Sequence, residues 1–157
     1  MAMFEFPNPK GGGDKKKFLQ FEVRHWISNE EGKLGDGATK TIGNLFFGSE
    51  GYMVLDKGGN WQTYMGKERE PGPNGSGDGD MFQNFVDAIR ADDRSLLEGD
   101  ITEGHPSCAL IHLANTSYRL GRTLNFDPKL ERYVDDDEAN AMLTRQYRAP
   151  YVVPEHV

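Results

Sequence analysis

The 157-residue sequence has the length of one domain and is long enough to bury roughly 70% of its unfolded surface. A formal net charge of -7, with one short basic run at residues 15–17 beside three glycines, excludes the cation excess that a nucleic-acid partner requires. A single cysteine, Cys108, excludes an internal disulfide framework and a multi-cysteine metal site, and no stretch approaches the roughly 20 apolar residues of a membrane span.

In chain order, residues 2–6 are a short apolar and aromatic run closed by Pro7 and Pro9, which predicts a strand and a turn. Residues 17–27 give the clearest strand, with Leu19, Phe21, Val23, His25 and Ile27 on one face and Phe18, Gln20, Glu22, Arg24 and Trp26 on the other. After a polar, glycine-rich connection, strands are predicted over 41–47, 52–55 and 61–65, with Gly48, Gly51, Gly58 and Gly59 at the turns. This is an antiparallel meander. Leu45 and Phe47 oppose Ile42 and Phe46, and Met53 and Leu55 oppose Tyr52 and Val54, so both faces are apolar and both are expected to be covered. The cover is either the chain's own helices or another subunit.

Residues 66–80 hold five glycines and two prolines and predict a surface loop. Asp80 then caps an amphipathic helix over 81–91, whose Phe82, Phe85, Val86 and Ile89 form one stripe. A second helix is predicted over 103–120, stopped by Gly121. Residues 124–126 and 132–134 flank Pro128 as a small hairpin, and Asp135, Asp136 and Asp137 open a short helix through about residue 145. The tail over 147–157, with Pro150 and Pro154, is expected to be extended. Strands first and helices last define an α+β domain, a single one over residues 1–157. It is expected to be soluble, with cytoplasm and periplasm both open.

The second long helix carries the densest chemistry. His105, Cys108, His112, Asn115 and Arg119 follow one another at three- and four-residue spacing and therefore share a stripe. The stripe either hydrogen-bonds to the sheet and nearby loops or lines a polar pocket for a hydroxylated ligand. Metal fits poorly: two histidines seven residues apart lie about 10 Å apart along a helix axis, too far for one ion at about 2 Å per bond. On the long strand, His25 reads as a satisfied core group, while Arg24 and Trp26 share a mixed face suited to a subunit interface or to stacking on a carbohydrate. No G-x-G-x-x-G follows a strand, no P-loop sequence occurs, residues 74–80 lack the ligand spacing of an EF-hand, and Ser107 has no nucleophile-elbow context.

Several segments together carry a resemblance: Phe4-Glu5-Phe6, Phe21-Glu22-Val23-Arg24-His25-Trp26, Gly43-Asn44-Leu45-Phe46-Phe47-Gly48-Ser49-Glu50-Gly51-Tyr52, Glu103-Gly104-His105, His112-Leu113-Ala114-Asn115 and Arg119-Leu120-Gly121-Arg122. With Asp136-Asp137-Glu138-Ala139-Asn140 and Tyr147-Arg148-Ala149-Pro150 they resemble, over residues 2–155, the C-terminal half of the Gfo/Idh/MocA oxidoreductases in their planctomycete-like form. The resemblance implies a large, mostly antiparallel sheet with helices on one side and an open face that pairs with another subunit. It also implies a parent enzyme whose Rossmann half binds NAD or NADP and supplies a catalytic lysine, with an aspartate–histidine pair ahead of the first strand. Neither feature has a match in these residues. By the same resemblance, Met81 stands where the family pattern has histidine, and residues 10–17 add a glycine-rich segment to a hairpin.

The expectation is therefore a substrate-binding and oligomerisation domain of a sugar-type NAD(P)-dependent oxidoreductase, unable to transfer hydride alone and holding no cofactor or metal itself. Its partners are another copy, paired through the sheet face, or a separate chain supplying the Rossmann half. The alternative is a stand-alone carbohydrate-binding or scaffolding module. No residue is assigned a catalytic role; Arg24, Trp26, His105, His112, Asn115 and Arg119 are the pocket or interface candidates.

Overall fold

The computed structural model describes residues 1–8, 10, 15–23, 42–77 and 79–154. Among them the strands and helices run, in chain order, β1 (Ala2–Pro7), β2 (Lys16–Phe21), β3 (Gly43–Phe47), β4 (Gly51–Asp56), β5 (Trp61–Met65), β6 (Glu70–Gly75), α1 (Met81–Ala91), α2 (Ile101–Leu120), β7 (Phe126–Asp127), β8 (Arg132–Tyr133) and α3 (Asp137–Ala141). The chain is α+β and divides into two compact units, one of Met1–Phe21 with Asp100–Val157 and one of Glu22–Gly99. One large sheet was the expectation, and the described residues instead form three antiparallel sheets, β1-β2, β3-β4-β5-β6 and β7-β8. The strand predicted over 17–27 pairs only as far as Phe21, which lies opposite Ala2, and neither β1 nor β2 joins the ladder of β3 to β6. Residues 24–27 of that strand lie outside the described residues.

In the second unit the meander is continuous, with Leu45 opposite Val54 and Val54 opposite Gln62. Val54 is its buried apolar centre, at 6% exposure. A tilted Phe47–Tyr52 contact and a stacked Tyr52–Tyr64 pair run across the strands at ring separations of 6.0 and 5.0 Å. The segment expected to be a loop contributes the edge strand β6, although Pro71 and Pro73 bring no N–H donor. Side chains of β5 make up the deficit: Gln62 Nε2 donates to the carbonyl of Gly72 at 2.9 Å, and Thr63 Oγ1 to that of Pro73 at 2.6 Å. The pairing shifts register between Gln62 and Tyr64, as a strand interrupted by prolines must. Gly75 is needed on this edge, because a Cβ there would sit 2.9 Å from the Trp61 indole.

Asp80 starts α1 as predicted, accepting the N–H groups of Phe82 and Gln83 at 2.9 and 3.1 Å. The helix is fastened by Asn84, which donates to the Leu96 carbonyl at 2.7 Å and accepts the Glu98 N–H at 3.1 Å. Its buried residue is Ala88, while the stripe of Phe82, Phe85, Val86 and Ile89 stays exposed. An amphipathic period thus identifies the helix without naming what covers it.

In the first unit, β1 and β2 make a ribbon closed by a Lys16–Glu5 ion pair. Helix α2 begins two residues earlier than predicted, because Asp100 accepts the Thr102 N–H at 2.8 Å and so caps the helix at Ile101. Its buried residue, Thr116, turns its hydroxyl back to the His112 carbonyl at 3.0 Å. Gly121, at φ 67°, ends it as expected. The predicted third helix is shorter, Asp137–Ala141, with Met142 N–H and Leu143 N–H drawn into tight turns on Ala139 and Asn140. Asn140 replaces a ladder strand for β8: its Oδ1 accepts the Tyr133 N–H and its Nδ2 donates to the Tyr133 carbonyl, both at 2.9 Å. Tyr133 and Ala139, 3% and 0% exposed, are the local core, with Phe126 edge-on to the Tyr133 ring at 5.3 Å.

Replacing Asn140 with alanine removes both bonds and leaves two part-buried backbone groups without partners. The expected cost is about 1–3 kcal/mol, read as a lower denaturation midpoint at constant m-value. An unchanged midpoint would show that water satisfies Tyr133 equally well.

Candidate functional site

The stripe on α2 forms, but in solvent. His105, Cys108, His112, Asn115 and Arg119 are all exposed. His105 Nε2 lies 2.7 Å from Glu131 Oε1, in the turn before β8, and Arg119 Nε donates to Asn115 Oδ1 at 3.3 Å within the stripe. Among the residues described, then, His105 bonds to a neighbouring turn, and Asn115 and Arg119 to each other, rather than to a sheet. Arg24 and Trp26, and with them His25, lie outside the described residues. Among the described residues no group of three or more His, Cys, Asp or Glu side chains could hold a metal ion, and no helix is long and apolar enough to cross a membrane.

The strongest electrostatic feature lies just beyond α2. Gly121 turns the chain so that Arg122 leaves the helix end, and Ser117 Oγ donates to the Arg122 carbonyl at 2.8 Å to fix that direction. The Arg122 guanidinium grips the Asp136 carboxylate with two nitrogens, Nη2 lying 3.0 Å from Oδ1, and Nη2 also reaches Glu138 Oε2 at 2.8 Å. Asp136 in turn caps α3, accepting the Ala139 N–H at 3.0 Å. The Arg122 hydrogen bond, helped by the Ala139 N–H, holds the Asp136 carboxyl down at about 2. The same carboxylates hold the Arg122 guanidinium above its ordinary value. The Arg122 guanidinium is committed to Asp136 and Glu138, and the arrangement fastens the end of α2 to the start of α3.

Two surface concavities are lined by polar groups. The first, of about 480 Å³, lies on the four-stranded sheet. Alternate residues share a sheet face, so Val54, Asp56, Asn60, Gln62, Asn74 and Ser76 point to one side around it. Asp56 is committed to the β4–β5 turn, accepting the N–H groups of Gly58 and Asn60 at 2.7 and 2.9 Å and the Asn60 amide at 2.9 Å. Its carboxyl is held below the ordinary range by the Asn60 side chain first. The second, of about 360 Å³, is lined by Arg145, Gln146, Tyr147, Arg148 and Tyr151 in the tail. Neither includes the α2 stripe. The signals that could have found them are the two-residue spacings 60/62 and 74/76 on adjacent strands and the run Arg145-Gln146-Tyr147-Arg148 before Pro150.

The fold defines the chain's class first: small antiparallel sheets followed by capped helices, an α+β domain without a βαβ nucleotide crossover among its described elements. Residues 73–153 match the family described as the oxidoreductase family, C-terminal alpha/beta domain. The chain belongs to this family, Gfo/Idh/MocA. The match takes in α1, α2, both short strands and α3, and so includes the resembling segments from Glu103 to Pro150; those before residue 73 lie outside it. No curated protein and no solved structure matches the chain.

Because the Asp136 carboxyl is depressed on folding, its contribution is complete above its ordinary 3.8 and is lost as pH falls toward about 2. Arg122→Gln is expected to raise the Asp136 carboxyl toward its ordinary value, moving the acid loss of Ala139 amide protection to higher pH. A carboxyl chemical-shift titration reads the shift, and an unmoved Asp136 curve would mean that the Ala139 cap alone sets it.

Proposed function

We propose that this chain serves as the substrate-binding and oligomerisation domain of a sugar-type, NAD(P)-dependent dehydrogenase, and that hydride transfer requires a dinucleotide-binding half, on the same polypeptide or another. The observation that carries this reading is the family match over residues 73–153. The apolar surface left uncovered supports the oligomerisation part: Phe46 and Phe47 on opposite faces of β3 are 50% and 80% exposed, and Phe18 and Phe21 on the β1–β2 ribbon 63% and 59%. Exposed aromatic groups this dense on strands are characteristic of interfaces. No glycine-rich phosphate cradle occurs in these 157 residues, which is why the cofactor is assigned to the other half.

A second reading, a carbohydrate-binding module, is favoured by one observation, the row of amide and hydroxyl groups from Asn60 to Ser76 on the sheet face. Carbohydrate hydroxyls need such paired donors and acceptors.

Light scattering over a concentration series is expected to give a dimer or larger assembly, and a monomer at every concentration would remove the oligomerisation role. In parallel, NADH and NADPH fluorescence titrations are expected to show no micromolar binding by this chain. Micromolar affinity for either would overturn the assignment of the cofactor to another half.

A further inference from the structure

We infer that the tail bend over residues 145–151 is a binding site for the phosphoryl group of a small molecule, a site independent of the oxidoreductase reading. The sequence holds 25 acidic against 18 basic residues, so a concavity lined by two arginines and no carboxylate runs against the chain's own charge. The remaining lining is hydrogen-bonding and aromatic: Gln146, Tyr147 and Tyr151.

The two guanidinium groups are held without being used up. Arg145 lies over the Tyr147 ring and Arg148 over the Tyr151 ring, each 5.7 Å from the centroid. A ring face attracts the cation but consumes none of its five N–H donors. Among the described residues neither guanidinium has a carboxylate partner, in contrast to Arg122, which is gripped by Asp136 and Glu138, and to Arg90, which lies 4.0 Å from Asp87. The bend is set by the backbone: Tyr151 N–H donates to the Arg148 carbonyl at 2.9 Å and Val152 N–H to that of Pro150 at 3.0 Å. Arg148 and its ring are therefore presented by one closed turn.

The chemistry selects a phosphoryl group over a neutral sugar or a single carboxylate. Two planar forks present four N–H donors, which would take every lone pair of a single carboxylate, whereas three phosphoryl oxygens carrying more charge can engage both forks and still accept from the tyrosine hydroxyls and the Gln146 amide at the margin. A concavity of about 360 Å³ admits inorganic phosphate or a hexose phosphate. The free ion and the sugar ester share this recognition, and the titration separates them.

The test uses the full chain at a fixed ionic strength of about 0.15 M, titrated with inorganic phosphate, glucose 6-phosphate, glucose and citrate while the arginine Nε–Hε resonances are followed. Saturable phosphate binding that moves the resonances of Arg145 and Arg148 is expected, with tighter binding of glucose 6-phosphate if the ester is the ligand and equal binding if the ion alone is. Arg145→Gln with Arg148→Gln is expected to weaken phosphate binding by about tenfold or more, while Arg90→Gln leaves it unchanged. Arg148→Lys keeps the charge but not the fork and is expected to fall between, which guards against a double variant that unfolds. Response to citrate but not phosphate, binding of glucose as tight as its phosphate, equal loss in Arg90→Gln, or unmoved Arg145 and Arg148 resonances would each overturn the site.

Discussion

Asp136 does two jobs with one carboxylate, and the C-terminal part of its unit is organised around that economy. As a cap it orients α3 through the Ala139 N–H, and as an ion-pair partner it takes the guanidinium that Gly121 and Ser117 deliver from the end of α2. Once α3 is oriented, Asn140 on its last turn can clasp both backbone groups of Tyr133. A two-residue strand such as β8 has no ladder long enough to hold itself, so a side chain on a fixed helix takes over part of that task. The buried ring of Tyr133 follows from this chain of fastenings rather than from a large hydrophobic collapse.

The same substitution of side chain for backbone recurs in the other unit, at β6. There the register shift and the missing donor of Pro73 leave the strand short of ladder bonds, and Gln62 and Thr63 reach across to its carbonyls. In both places a polar residue that sequence patterning treats as surface decoration holds a short strand in register. That is why composition alone misread residues 66–80 as a loop: glycine and proline signal broken regularity, but the rescue comes from a different strand.

Much of the architecture was legible in local signals. Asp80 and Gly121 set helix ends where capping chemistry places them, and apolar runs separated by glycine turns identified the meander of β3, β4 and β5. The capping power of Asp100 was missed because the apolar period begins after it, and the third helix was drawn too long because its acidic opening marks a start but nothing marks its stop. The site was less legible. Helical spacing grouped His105, His112, Asn115 and Arg119 on one stripe correctly, yet periodicity is blind to which side of a helix faces the rest of the molecule. The polar concavities lie instead on a sheet face assembled from three strands and in a tail bend, and each depends on contacts between residues that no single period relates.

The prolines of β6 have one more effect, on how copies of this chain can meet. An outer strand with a full set of free N–H groups is a template on which a neighbour's strand can lie down, and that route leads to open-ended stacking as readily as to a closed pair. Pro71, one residue past the Met65–Glu70 pair and so turned away from β5, has no hydrogen to offer along that border. Growth of the sheet past β6 is thereby discouraged, and the association proposed above would instead bury exposed rings such as Phe46 and Phe47 against a partner, where the assembly can close.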